Sequence, residues 1–406
     1  MKRSRLLSLL FTSFLATQAH AAGFYIQESS VSGEGNAFAG SASHATDATT
    51  VFSNPAGMVD LTGAQTTAGV ALLMPTAKID DHGSTPVGGG NGGNPYVPTA
   101  VPDFYVAAPV NDRLWLGLSV TAPFGLAEDY GPTWFGRYDS TKTELTTVNF
   151  QPSIAYKLND QWSLGAGFDI QYANARLDAA VNDGAEGEST LKGDDFAYGY
   201  NAGVQWKPVP GTTVGATYRS EMHHDLDGTI MVTGTASHDF LTGGSAKLEL
   251  PDIAALGVTQ DIRPDWRVMG QVSWFGWSNF HDITAVADSG AVVESTTEDY
   301  KNTVSFGVGT EYDLNKLWTV RAGYQFDPTP TRDGFRDTRV PDGDRNWFTT
   351  GATYKLASDI SLDLSAAYIN VGKEPINLVR NGGTITYDAS SSGDVGIVGA
   401  AVSYKF

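Results

Sequence analysis

The sequence predicts an all-β fold: a fourteen-stranded antiparallel transmembrane β-barrel with an N-terminal hatch, or plug, in its lumen. Three observations point there. The chain opens on an export signal, its apolar residues alternate every second position instead of forming one long apolar run, and it ends on Phe406.

Residues 1–21 read as the export signal. Lys2, Arg3 and Arg5 form a basic start, Leu6 to Ala16 an apolar stretch, and Ala19-His20-Ala21 a small-x-small cleavage site, so the mature chain is expected to begin at Ala22. The apolar stretch falls short of the ~20 residues of a membrane helix, and no later run reaches that length. Cleavage removes three bases and no acid, which moves the net charge from −19 to −22. A chain of that charge repels nucleic acid and other polyanions. Cysteine is absent, which excludes a disulfide framework and thiolate metal sites and leaves closure to hydrogen bonding and packing. By length alone the mature chain suggests two or three soluble domains, but a closed barrel is one unit however long it grows.

Residues 22–61 differ in kind from the rest of the mature chain. They are rich in Gly, Ala and Ser, carry scattered apolar residues (Phe24, Tyr25, Ile26, Phe38, Val51, Phe52, Met58), and show no period of two. A fourteen-stranded cylinder is wider than its own side chains fill, and a segment of this size is expected to plug it. Within the segment, Asn54 reads as the cap of a short helix with Pro55 at its first position.

Residues 62–406 supply the wall. Trp162, Leu164, Ala166, Phe168, Ile170 and Tyr172 fall on one face, with Ser163, Gly165, Gly167, Asp169 and Gln171 on the other. The first face suits lipid and the second a polar lumen. The same alternation recurs from Trp318 to Phe326 and from Ile360 to Tyr368, with aromatic residues at the ends where a membrane girdle needs them. Fourteen such stretches are expected: 62–80, 97–109, 114–125, 144–157, 162–178, 193–207, 212–228, 244–261, 266–286, 297–313, 317–328, 344–356, 360–372 and 395–406.

The connections alternate between short and long, as periplasmic turns and outer loops do. Asn111-Asp112-Arg113, Asn159-Asp160, Arg263-Pro264-Asp265, Asn315-Lys316 and Ser358-Asp359 are among the short ones. The long ones cover 81–96, 126–143, 179–192, 229–243, 287–296, 329–343 and 373–394. A soluble β-sandwich also alternates, but it does not keep large apolar side chains on the outward face of nearly every strand.

Pro123 and Gly125 close the third stretch. Proline cannot donate to a ladder and glycine weakens it, so wall pairing is expected to break there, unless the two residues simply start the second outer loop. The loop beyond them carries Tyr130, Trp134, Phe135 and Tyr138, and 229–243 carries Ile230, Met231, Val232, Phe240 and Leu241. Apolar groups at that density suggest a capture surface for a greasy ligand; packing of the loops on one another is the competing reading.

Signals for catalysis are poor, and no enzymatic activity or cofactor is expected. His223, His224, Asp225 and Asp227 read as a solvated rim sooner than as a metal or catalytic group. The glycine-rich run 88–94 lacks a following Lys-Ser/Thr and reads as an outer loop. Asp342 and Asp344 beside Arg345 read as a rim ion pair sooner than as a cation site.

Several short motifs, in order, carry a family resemblance. Gly23-Phe24, the run from Ser32-Gly33 to Ala39-Gly40, and Asn54-Pro55-Ala56-Gly57 resemble the amino-terminal hatch of the FadL/TodX family of outer-membrane channels for long-chain fatty acids and other hydrophobic compounds. The likeness continues through Thr121-Ala122-Pro123-Phe124-Gly125-Leu126, 155–159, 162–168, 274–280, 341–345 and the terminal phenylalanine. It implies an inward kink at Pro123, Phe124 and Gly125 that opens the wall toward the bilayer, and a ligand pocket near Gly23 and Phe24. In the fatty-acid members a serine, an arginine and a lysine hold the carboxylate. Ala122, Ala179 and Thr296 stand at the matching positions here, which favours a neutral hydrocarbon or aromatic ligand unless Arg176 or another lumen base substitutes.

The function expected from this resemblance is passive uptake of hydrophobic molecules, of the long-chain fatty acid type, with hydrocarbon uptake as the alternative. A general porin for polar solutes and an outer-membrane hydrolase using His223 or His224 rank below both. The expected setting is the Gram-negative outer membrane. The expected partners are a hydrophobic small molecule, membrane lipid and lipopolysaccharide, and the barrel assembly machinery, with the protein itself a monomer.

Overall fold

The computed structural model describes residues 23–85, 88–380 and 383–406; the export signal lies outside the described residues. Among these, nineteen β segments form one antiparallel sheet. They are β1 (Gln65–Asp81), β2 (Thr99–Pro109), β3 (Leu114–Thr121), β4 (Gly125–Asp129), β5 (Lys142–Lys157), β6 (Trp162–Asn182), β7 (Glu186–Trp206), β8 (Thr212–Arg219), β9 (Met222–Thr233), β10 (Phe240–Leu250), β11 (Ile253–Arg263), β12 (Trp266–Phe275), β13 (Asp282–Ala287), β14 (Val292–Thr297), β15 (Thr303–Asp313), β16 (Trp318–Asp327), β17 (Arg345–Lys355), β18 (Ile360–Arg380) and β19 (Ile385–Lys405).

The sheet closes because β1 pairs with both β19 and β2. Five pairs of segments are single strands interrupted midway. β3 and β4 both pair with β5, and β8 and β9 both pair with β7, while β10–β11, β12–β13 and β14–β15 continue the same two-level pairing. Merging each pair leaves the fourteen wall strands expected. Closure removes the sheet edges that hydrocarbon could not satisfy.

The outward face is apolar and open. Leu164, Phe168, Tyr198 and Phe348 are 44%, 49%, 65% and 53% exposed, whereas the inward Ser163, Asp169 and Gln171 of the same sheet are buried. In water such a belt would forfeit about 1.5–3 kcal/mol for each large side chain left uncovered, so the outer face needs lipid. Trp162 stacks on Trp206 at 5.4 Å and Trp318 meets Tyr354 at 4.6 Å, both pairs beside the short turns. These rings form one aromatic girdle.

The outer connections are shorter than expected. β6 and β7 leave only 183–185 between them, β9 and β10 leave 234–239, β13 and β14 leave 288–291, and β18 and β19 leave 381–384. The stretches 179–192, 229–243, 287–296 and 373–394 are therefore largely strand. Beyond the bilayer neither face must meet lipid, so the apolar alternation fades while the hydrogen-bond ladder continues.

The leading segment fills the lumen. It contains α1 (Val31–Glu34), α2 (Thr50–Ser53) and a 3-10 turn, Pro55–Asp60. Asn54 does two jobs: its side-chain oxygen accepts from Ala56 N at 3.1 Å, and its Nδ2 donates to the Ala42 carbonyl at 2.6 Å. The wall admits this backbone through inward glycines. A β-carbon at Gly215 would lie 1.8 Å from the Ala42 carbonyl oxygen, and one at Gly165 would lie 2.3 Å from Ala56 N. Arg219 ties plug to wall, donating to the Phe52 carbonyl at 2.9 Å, lying over the Phe52 ring at 4.0 Å, and pairing with the buried Asp169.

Gly165→Val and Gly215→Val each place a side chain where plug backbone now lies. Each is expected to destabilise the seated plug by about 1–3 kcal/mol and to raise ion conductance in planar bilayers without preventing barrel assembly. Unchanged conductance in both would count against a plug seated on these glycines.

Candidate functional site

The third wall strand breaks where the sequence places its proline. β3 stops at Thr121 and β4 resumes at Gly125. The freed backbone groups find other partners. The Pro123 carbonyl accepts from Ile26 N at 2.8 Å, Gly125 N donates to the Phe24 carbonyl at 3.1 Å, and Tyr25 and Phe124 form an antiparallel bridge. Thr147 Oγ1 accepts from Phe124 N at 3.0 Å and donates to its carbonyl at 2.7 Å. A β-carbon at Gly125 would meet Ile26 Cδ1 at 2.7 Å, so glycine lets the leading segment approach.

The break leaves a window in the wall. β2 pairs with β3 only as far as Phe104 opposite Val120, and β4 pairs with β5. Residues 99–103 of β2 therefore have β1 on one edge and no strand among the described residues on the other.

Two cavities meet beside this window. The larger, about 490 Å³, is lined by Gly23, Phe24, Tyr25 and Ile26, by 99–102 of β2, and by Thr121, Ala122 and 124–127 of the broken strand. The smaller, about 100 Å³, is lined mainly by Leu126, Leu145, Leu177, Leu191, Leu226, Ile230, Leu248, Phe280 and Ile283; its polar members are Thr143, Glu144, Lys192, Thr229, Ser245, Lys247, Glu298 and Arg339. Phe24, Leu126, Leu145 and Val340 line both, so they partition the two spaces. Phe24 is held edge-on to Trp277 at 4.8 Å, Phe280 at 5.4 Å and Phe124 at 6.2 Å.

The start of the leading segment is also held by charge. Gly23 N donates to Asp342 Oδ2 at 3.1 Å, Arg345 Nη2 donates to the Gly23 carbonyl at 2.6 Å, and Arg345 pairs with Asp342 at 2.9 Å. The expected rim ion pair is thus a buried lumen pair, drawn inward because it satisfies plug backbone. Two plug carboxyls lie nearby in the chain. Burial lifts Glu28 to about 7, opposed by backbone hydrogen bonding and the Arg345 charge. Burial, reinforced by the Glu28 charge and opposed by the Ser365 hydroxyl, lifts Glu34 to about 8.

The proposed head-group positions are not brought together. Ala122 lines the larger cavity, but Ala179, opposite Ser189, and Thr296, opposite Ile283, line neither cavity. Arg176 is held by Asp178 at 2.7 Å. Of the capture residues, Trp134 and Phe135 are buried at 1% and 4%, with Trp134 stacked on Tyr130 at 3.9 Å above Ile376 and Tyr387. Loop packing accounts for both. Met231 is half-buried on β9, and Phe240 and Leu241 alone of these residues are exposed.

His224 is likewise no solvated rim residue: its side chain is buried against Gln171 at 3.1 Å and Asp195 at 3.3 Å, because it points inward from β9. His223 is exposed beside Glu221 at 3.1 Å. Among the described residues no group of three or more His, Asp or Glu is placed to hold a metal.

Sequence reading missed the leucine and isoleucine walls of the smaller cavity, which face one another only through strand register. It also missed Arg339, whose connection folds into the lumen. The inward parity of Leu177, Leu191 and Leu226 was the available signal; for Arg339 there was none.

Residues 12–406 match the family described as outer membrane protein transport protein (OMPP1/FadL/TodX). The long-chain fatty acid transport protein of Escherichia coli O6:H1 is 30% identical, across 97% of this chain and 96% of its own length, and that of Salmonella typhi is 29% identical over the same shares. The crystal structure of a Pseudomonas aeruginosa FadL homologue superposes with a TM-score of 0.89 at 25% identity, covering 95% of this chain and all 100% of its own. The toluene transporter TodX of Pseudomonas putida shares the fold, with a TM-score of 0.72 at 16% identity over 96% of this chain and 100% of its own. A closed, plugged and laterally broken barrel with these relatives is an outer-membrane protein, and the chain belongs to the OMPP1/FadL/TodX family of transport proteins.

Proposed function

We propose that this protein is a passive channel for long-chain fatty acids. The solute enters from the outer hairpins, occupies the smaller cavity, passes the partition at Phe24 into the larger one, and leaves sideways through the window beside Pro123, Phe124 and Gly125. The observation that carries this reading is the pair of cavities sharing one partition, with the second cavity beside a wall break bridged by residues 24–26 of the plug. Each methylene moved out of water contributes about 0.8 kcal/mol, so partition into lipid suffices to drive the step. A water-filled axial path offers a greasy solute nothing comparable.

The hatch acts as the gate. Its leading residues complete the ladder of the broken strand, so moving them opens the window and joins the cavities in one displacement. Hydrocarbon uptake is the second reading, favoured by the leucine and isoleucine lining of the smaller cavity.

Restoring a ladder donor with Pro123→Val, which keeps Gly125 and the approach of Ile26, is expected to slow uptake of labelled fatty acid into cells while leaving barrel assembly intact; normal uptake in that variant would remove the lateral route. The gate is also expected to respond to pH. Glu28 and Glu34 hold their protons more tightly when seated than when exposed, so seating is fully favoured below about pH 4.5 and weakens as pH rises through about 7 and 8. Ion leakage should therefore rise across that window and flatten in Glu28→Gln/Glu34→Gln. A leak that rises equally in that variant would place the titration elsewhere.

A further inference from the structure

The two cavities differ in one respect that bears on the ligand's polar end. The smaller is an apolar sleeve with a single buried guanidinium at one side, that of Arg339. Lys192 and Lys247 belong to the same wall, but both are exposed.

The other buried or half-buried arginines nearby are already committed. Arg176 is bound to Asp178 at 2.7 Å, Arg380 to Asp139 at 2.6 Å, and Arg345 to Asp342 at 2.9 Å. Arg339 is held loosely by comparison: its Nη1 reaches the Asp178 carbonyl at 3.4 Å and its Nη2 reaches Glu294 at 3.6 Å. Charge-assisted bonds between guanidinium and carboxylate close to about 2.7–2.9 Å, and a guanidinium has five N–H donors, so most of this one's capacity is unspent.

The backbone that carries it is fixed. Thr338 donates to Asp139 Oδ2 from both its N, at 2.8 Å, and its Oγ1, at 2.6 Å, while its carbonyl accepts from Tyr130 at 3.1 Å. Arg339 N donates to Asp337 Oδ1 at 3.1 Å. A ligand meeting this guanidinium need not order the chain that presents it. The next residue, Val340, belongs to the partition between the cavities.

Resting on the fatty-acid reading, we propose that Arg339 binds the carboxylate of an aliphatic monocarboxylic acid whose head-end carbons occupy the smaller cavity, the rest of the chain continuing past the partition toward the larger one. Glu298 faces the same cavity with one oxygen unpartnered.

The test compares oleate with oleyl alcohol, ligands of one chain length and different head groups. Binding is measured on detergent-purified full-length wild type, Arg339→Met and Arg339→Lys. Arg339→Met keeps the apolar bulk and is expected to weaken oleate about tenfold or more while leaving the alcohol within about twofold. Arg339→Lys keeps the charge without the fork and is expected to lose less, again for oleate only.

Equal weakening of both ligands, or of neither, would overturn the assignment, and if the Met variant fails to assemble the Lys variant decides by the same criterion. Wild type that binds the alcohol but not oleate overturns this inference and leaves a hydrocarbon channel. Wild type that binds neither overturns the transport reading and this inference with it.

Discussion

The hydrogen bonds between residues 24–26 and 123–125 are the interaction on which the rest of this structure turns. A lipid-embedded wall must satisfy every backbone group internally, because an unpaired one in hydrocarbon costs several kcal/mol. Pro123 and Gly125 interrupt the ladder, and the plug supplies the missing partners: Ile26 N for the Pro123 carbonyl, and the Phe24 carbonyl for Gly125 N. A local defect in the sequence of one strand thereby becomes a dependence of the wall on a segment far earlier in the chain.

The lumen explains why that dependence is stable. Seating a backbone directly on a sheet requires positions without a β-carbon, and Gly165 and Gly215 provide them against the backbone of Ala56 and Ala42, while Gly203 on the strand between makes room for the Asn54 side chain. Their close packing is reinforced by Arg219, which bridges Asp169 of the wall, Gln151 and the Phe52 carbonyl. Farther out, Asp342 and Arg345 grip Gly23. The plug is thus anchored at two levels, with the bridge at Phe124 between its first residues and the wall.

Much of the barrel was legible in the sequence, and the reasons are local. Lipid on one face and polar lumen on the other impose period two, so Trp162 to Tyr172 reveals both the strand and its orientation. Pro123 and Gly125 reveal a break because their chemistry forbids or weakens pairing wherever they stand. The outer hairpins were harder: from Asn182 to Glu186 the chain continues a ladder whose faces no longer differ in solvent. The cavity was hardest of all. Leu177 meets Leu191, Leu191 meets Ile230, and Leu226 meets Ala246 only once three registers are set. Arg339 enters the site because 328–344 turns inward, a choice made by Asp139 and Tyr130 from a distant loop and invisible in the residues around it.

These unequal anchors bear on the route. Axial passage requires the whole plug to leave its glycine seats and Arg219 to release Phe52, a displacement that exposes many packed backbone contacts at once. Lateral passage requires only the leading residues to leave the broken strand, where two backbone hydrogen bonds, the aromatic contacts of Phe24 and the hold of Asp342 and Arg345 on Gly23 are at stake. A single net hydrogen bond is worth about 0.5–1.5 kcal/mol, within reach of the binding energy of a long aliphatic chain, whereas a cooperative plug is not. The smaller motion also ends in the better solvent, since the window faces hydrocarbon and the axis leads to water. The proposed lateral exit thus lies where the fold is weakest as well as where the solute is most soluble.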